Sequence, residues 1–170
     1  MNGEFIQDPL FRQRYRFNRD GDALGIEIRA EPGGGVLADH LHPQLEERYD
    51  VLRGEVTFRV DGKALVTGPG GKVVVAPGVR HSFENTGSDT AHLEVEAEPA
   101  LCLRESIEQG ASLAQTEKLT PTGKPKSLRA LIELAALAHR YRKTVILSSP
   151  PLAVQRLLFP LLARFASNSR

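Results

Sequence analysis

The sequence predicts a mainly β fold, an antiparallel barrel or sandwich, followed by α-helices. Two observations carry this reading. Across residues 14–98, short runs of alternating apolar and polar character are separated by Gly, Asp, Asn and Pro, and beyond Leu101 the apolar spacing lengthens to three- and four-residue steps. A chain of 170 residues with 41% hydrophobic and 25% charged content has enough apolar material for one modest core and an appended element.

In chain order the candidate strands are RYRF, LGIEIRA, GVLADHLH, ERYDVLR, EVTFRV, KALVT, KVVVA, HSFEN and HLEVEAE. The Asp61-Gly62 pair between EVTFRV and KALVT is a tight hairpin signal, because both residue types tolerate positive φ. Helices are expected at CLRESIEQGASLAQ, SLRALIELAALAHRYRK and PPLAVQRLLFPLLARFA. Ser127 is placed to cap the second of these helices, and Pro160 lies inside the third, where a kink is expected. The Pro- and Gly-containing stretch at residues 120–126 reads as a linker. The expected organisation is a β-barrel over residues 1–100 and a helical extension over 101–170.

The net charge of +1 conceals an asymmetry, since residues 118–170 carry ten cations and a single acid, Glu133, which leaves the first 117 residues acidic overall. The one cysteine, Cys102, cannot make an intramolecular disulfide, so a reducing compartment, the cytoplasm, is expected. Cys102 itself reads as a packed small side chain. The N-terminal residues lack a basic start followed by an apolar run, and no stretch approaches the roughly 20 apolar residues of a membrane span. The basic tail has no nucleic-acid reading motif, so no nucleic-acid partner is expected. Its Leu157, Leu158, Leu161, Leu162 and Phe165 form an apolar stripe that fits packing on the protein itself or on a second subunit better than peripheral membrane contact.

The chemistry concentrates in GGVLADHLHPQLEERYDVLRG, residues 34–54. Residues two apart on a strand share a face. An inward Ala38, His40 and His42 on one strand, and an inward Glu47, Tyr49 and Val51 on the next, bring two imidazoles and a carboxylate together. His81 comes after the Pro77-Gly78 turn and adds a third imidazole, with Phe83 as its inward neighbour. Three imidazoles and one carboxylate suit one divalent Fe, Mn, Co, Ni, Cu or Zn ion and suit Ca or Mg poorly. Four such ligands in an octahedral shell leave two positions for water, oxygen or substrate, the arrangement a catalytic metal needs.

These residues resemble the two motifs of the cupin superfamily. The first is a glycine, five residues, His-X-His, three or four residues, Glu, six residues and a glycine, matched by Gly34, His40, His42, Glu47 and Gly54. The second is a glycine, five residues, Pro-X-Gly, two residues, His, three residues and Asn, matched by Gly70, Gly78, His81 and Asn85, with Ala76 in place of the proline. The resemblance covers residues 25–98. It implies a double-stranded β-helix, a jelly-roll barrel, with His40, His42, Glu47 and His81 as metal ligands. The closing segment SSPPLAVQRLLFPLLARF is similar to a group of bacterial single-domain cupins with appended helices.

Cupins include oxygenases, isomerases, cyclases, decarboxylases, storage proteins and ligand-binding regulators, so the fold does not fix a reaction. The expectation is a metal-dependent enzyme acting on a small organic molecule, with dioxygenase or other oxidative chemistry ahead of isomerisation or cyclisation. The competing expectation is a non-catalytic module that senses or sequesters a metal or ligand. Tyr49 is the candidate for proton transfer beside the metal. An inward Arg29, which shares a strand face with Glu27, is a candidate for a substrate carboxylate or phosphate. Glu46 is expected outward, and His92 and His139 are expected to have no role at the site. Cupins commonly pair, and a homodimer is expected.

Overall fold

The computed structural model describes residues 4–120 and 123–167. The strands are β1 (Ile6–Asp8), β2 (Gln13–Arg19), β3 (Leu24–Ala30), β4 (His40–Leu41), β5 (Glu46–Arg53), β6 (Val56–Val60), β7 (Lys63–Thr67), β8 (Lys72–Val75), β9 (His81–Asn85) and β10 (Ala91–Glu98). Three helices, α1 (Leu103–Gln115), α2 (Leu128–Arg140) and α3 (Leu152–Ser167), complete the chain, with a two-residue strand β11 (Ile146–Leu147) between the last two. The strands form two antiparallel sheets, a six-stranded one ordered β1-β2-β3-β10-β5-β8 and a five-stranded one ordered β11-β4-β9-β6-β7.

The core results from the period-two pattern. Along β10 Ala91, Leu93, Val95 and Ala97 are buried while His92, Glu94 and Glu96 are not, and along β5 Glu47, Tyr49 and Val51 are the buried set. These residues meet Val56 and Phe58 of β6 and Phe83 of β9 in one cluster. Each fully buried side chain of this size contributes about 1.5–3 kcal/mol. At the β6–β7 turn Asp61 and Gly62 both hold positive φ, 48° and 75°, as the sequence pair requires.

The expected strand GVLADHLH is strand only at His40–Leu41. The segment before it runs beside β9 through scattered backbone bonds, Phe83 N–H to the Val36 carbonyl and Asn85 N–H to the Gly34 carbonyl. At Gly34 a Cβ would lie 2.4 Å from the Arg12 carbonyl oxygen, so only glycine lets the backbones approach. Regular alternation is lost there, and Ala38 is exposed rather than inward. Asn85 is fixed by three bonds, donating to the Ala30 and Asp89 carbonyls and accepting from Gly87 N–H.

Helix α1 joins the core through Leu103, Ile107 and Ala111, and Tyr15 donates its hydroxyl hydrogen to the Ile107 carbonyl. Cys102, just before α1, is exposed, because Leu103 takes the inward place. Ser127 caps α2 by accepting from Ala130 N–H at 3.1 Å. The small buried Ala130 and Ala135 line α2, and α3 packs against this helix. Pro160 lies inside α3. Of the linker at residues 120–126, positions 121 and 122 lie outside the described residues; at its edges Thr120 N–H donates to the Lys124 carbonyl. Strand β11 pairs with β4, Ile146 opposite Leu41 and Leu147 opposite His40, which attaches the C-terminal segment to the five-stranded sheet. Among the described residues no helix is long and apolar enough to cross a membrane.

Candidate metal centre

Register places the four candidate ligands. His40 on β4 lies directly opposite His81 on β9, and His42 comes two residues later. Glu47 is on β5, flanked by Ala97 of β10 and Val75 of β8, and faces the histidines across the gap between the sheets. The ligand atoms of His40, His42, Glu47 and His81 all lie within 4.8 Å of one another, and all four residues are buried. The structure thus brings these four together.

The ring nitrogens are sorted by backbone carbonyls, which can only accept. Nδ1 of His40 meets the Ala38 carbonyl at 3.0 Å, Nδ1 of His81 the Val79 carbonyl at 3.1 Å and Nδ1 of His42 the Thr144 carbonyl at 2.7 Å. Each ring therefore carries its hydrogen on Nδ1, and in the neutral form Nε2 presents a lone pair. Among the described residues His42 Nε2 is buried with no well-formed hydrogen bond, 3.4 Å from Glu47 Oε1. His81 Nε2 lies 2.8 Å from Glu47 Oε2. Lone pairs converging on a carboxylate in a buried space are relieved by a shared cation, and carbonyl-oriented imidazoles are the usual partners of one. The donor set therefore fits a divalent transition metal ion.

The electrostatics differ between the rings. Burial, reinforced by the His81 and His42 rings, depresses His40 to about 3, so this ring stays neutral. Burial also works against ionised Glu47, but His42 and His81 outweigh it and hold the carboxyl well below its ordinary range. At His42 burial opposes protonation, while the Glu47 carboxylate and the Thr144 carbonyl outweigh it and raise the imidazole.

Tyr49, two residues beyond Glu47 on the same strand face, donates its hydroxyl hydrogen to Glu47 Oε2 at 2.8 Å. Burial first, and then the Glu47 charge, keep the phenol protonated far above its ordinary value. Its ring packs against Phe58 and Phe83, with centroids at 5.1 and 5.8 Å, so the ligand set is backed by an aromatic wall.

Other candidates lie elsewhere. Arg29 and Glu27 share a face of β3, as expected, but it is the one opposite the core residues Ile26 and Ile28. An inward Arg29 is thereby overturned, because the core side is filled by the apolar set. Arg16 and Arg29 both pair with Glu27, and His92 Nε2 lies 3.1 Å from it. Although burial opposes it, Arg16 and Arg29 hold Glu27 below its usual range. Glu27, His92 and Glu94 form a second group with metal-ligand atoms, but the two guanidiniums already compensate its charge. Glu46 points outward and pairs with Arg48 at 2.7 Å. His139 lies in the last turn of α2, away from the ligands.

Sequence reasoning missed the carbonyls of Ala38, Val79 and Thr144. A backbone acceptor leaves no side-chain signature. For Ala38 and Val79 the place two residues before a histidine is at least a local hint, and for Thr144 no sequence signal exists.

A family model described as a cupin domain matches residues 26–97. Among solved structures, the cupin domain of Schizosaccharomyces pombe Cnp3 superposes with a TM-score of 0.52 at 13% identity, covering 64% of this chain and 75% of that one. An RmlC-like cupin from Shewanella frigidimarina gives a TM-score of 0.52 at 20% identity, covering 58% of this chain and 85% of that one. At such identities the likeness concerns the fold. No curated protein matches the sequence closely enough to count as a relative. With two facing antiparallel sheets and the family model matched across β3 to β10, the chain carries a cupin domain over residues 26–97.

Proposed function

We propose that this cupin is a metal-dependent enzyme acting on a small organic molecule, with oxidative chemistry ahead of isomerisation or cyclisation. The observation that carries the reading is the convergence of His40, His42 and His81 on Glu47 in a buried space, their ligand atoms all within 4.8 Å of one another. A divalent Fe, Mn, Ni, Cu, Co or Zn ion held by these four residues would supply Lewis-acid polarisation or, if redox-active, oxidative chemistry. The residues' own tasks are separable. The three carbonyls hold each imidazole with Nε2 inward, Glu47 supplies the negative charge, and Tyr49 keeps a proton on its hydroxyl oxygen 2.8 Å from Glu47 Oε2. Tyr49 is the group proposed to assist proton transfer. The wall of Tyr49, Phe58 and Phe83 suits an organic molecule as the second occupant.

The test is oxygen uptake and product formation by metal-reconstituted protein against small carbonyl, catechol, flavonoid and sugar compounds, beside His42→Ala. Turnover that survives in the variant contradicts the proposal. One observation favours a second reading, a module that binds metal or ligand without turnover: the four ligand residues are only 1–8% exposed. Stoichiometric metal with no turnover of any compound supports that reading. The proposal also includes a homodimer and a cytoplasmic setting. The dimer is supported by large apolar groups left on the surface, Val66 on β7 and Leu157 on α3 at 61% and 68% exposure.

A further inference from the structure

We propose that the C-terminal hairpin of α2, β11 and α3 is a positioning device for the metal centre, and that Gln155 is the residue that locks it. The inference rests on the metal reading above. His40 and His81 are oriented locally, each by the carbonyl two residues earlier in the chain, whereas His42 takes its acceptor from Thr144. Folding of β9 and its neighbours places Val79 independently of the helical segment. The placement of Thr144 depends on the hairpin.

Three contacts seat it. Thr144 is buried, and its N–H donates to the Tyr141 carbonyl at 2.8 Å, which closes the turn after α2. Strand β11 then pairs with β4 directly beside the ligand His40, and Ser148 N–H donates to the Asp39 carbonyl at 2.9 Å. Finally Gln155 of α3, 8% exposed, donates from Nε2 to the Leu147 and Pro150 carbonyls at 2.7 and 2.6 Å. Its amide thus ties α3 to the end of β11. Gln155, β11, Thr144 and His42 form one continuous path, and a hairpin that loosens turns the Nδ1 partner of His42 away while leaving those of His40 and His81 in place. By reciprocity a metal held with His42 oriented strengthens the docking of the hairpin.

Cobalt(II) titration of the full chain, read by its visible d–d bands, tests this on wild type, Gln155→Ala and Ala111→Gly. Ala111 is buried on α1, outside the hairpin, so its replacement loosens a helix that does not carry Thr144 and serves as a matched control. Gln155→Ala is expected to weaken cobalt binding about tenfold and to shift the bands, as loss of a group orienting a ligand does. Ala111→Gly is expected to lower the melting temperature and leave affinity and bands unchanged. Equal affinity and identical bands in wild type and Gln155→Ala overturn the inference, as does an equal loss in both variants. No cobalt uptake by wild type overturns the metal reading and this inference with it. Should Gln155→Ala not fold, amide exchange of wild type decides: cobalt is expected to slow exchange at Ile146 and Ser148, and unchanged rates there, with cobalt bound, overturn the inference.

Discussion

His42 donates from Nδ1 to the carbonyl oxygen of Thr144 at 2.7 Å, across 102 positions of sequence. The bond crosses from the β-sandwich to the helical segment beyond it, and it fixes which nitrogen of His42 faces Glu47. The acceptor comes from a turn whose position depends on α2 and on the pairing of β11 with β4. A histidine within the matched residues 26–97 is therefore oriented by a part of the chain outside them.

Replacing His42 by Ala removes one proposed ligand and leaves the Thr144 carbonyl without its donor. Metal affinity is expected to fall by about a hundredfold or more, beyond the usual effect of losing an orienting partner. Activity is lost with it, while the far-ultraviolet circular dichroism stays that of a folded β protein. Metal retained at wild-type stoichiometry and affinity contradicts the ligand assignment.

Tyr49→Phe separates proton holding from packing. The ring against Phe58 and Phe83 is kept and only the bond to Glu47 Oε2 is lost. Removing a hydrogen bond to a charged group costs about 1.5–3 kcal/mol of stability, measurable by urea unfolding. Metal content should be unchanged, and turnover should fall by about 10²–10⁴ if the hydroxyl assists proton transfer. Full turnover in the variant leaves Tyr49 as wall alone.

His40 sets a pH dependence in chelator-treated protein. Its folded value is about 3 against an ordinary 6.5, so between these the unfolded chain binds a proton that the folded one does not. Stability therefore falls as pH falls through this window. His42, raised in the folded state, works in the opposite sense, and Glu47, depressed below 4.5, contributes above that value and loses its contribution as pH drops through its lower folded value. Comparing wild type with His40→Gln isolates the first effect. The stability difference between them should decline on acidification from pH 6.5 towards 4.5, with a slope approaching about 1.4 kcal/mol per pH unit. A difference independent of pH contradicts a neutral buried His40.

The legibility of the chain depends on what kind of group carries each feature. Strand alternation makes Glu47, Tyr49 and Val51 readable as one face, and the spacing of the histidines and glycines makes the cluster of His40, His42, Glu47 and His81 readable from the sequence. Helices α1, α2 and α3 are announced by apolar steps and by the capping Ser127. Strands β1 and β11 are not announced, being three and two residues long, too short for a period to show. Ala38 departs from its expected inward place because the segment before His40 is not regular strand, so period-two alternation does not apply there. Arg29 is ambiguous in sequence because a strand pattern says which residues share a face and not which face is inside.

The exposed apolar stripe of α3 makes a prediction about assembly. Leu157, Leu158 and Leu161 are 68%, 44% and 48% exposed. The first 117 residues carry 12 cations and 20 acids, and the remainder ten cations and one acid, so a second copy offers complementary charge to this basic hairpin. Light scattering after size exclusion should give a dimer for wild type and a monomer for Leu157→Glu with Leu161→Glu. A wild-type monomer at tens of micromolar concentration, or a dimer unchanged in the variant, contradicts this interface.

The metal centre is tested most directly by elemental analysis of protein purified without chelators or an affinity tag, beside a His40→Ala, His81→Ala double variant. Near-stoichiometric iron, manganese, nickel, copper, cobalt or zinc in wild type and its disappearance in the variant is the predicted result. No metal in either protein, and none taken up on reconstitution, would contradict the metal centre and leave the sandwich as a metal-free binding or structural fold.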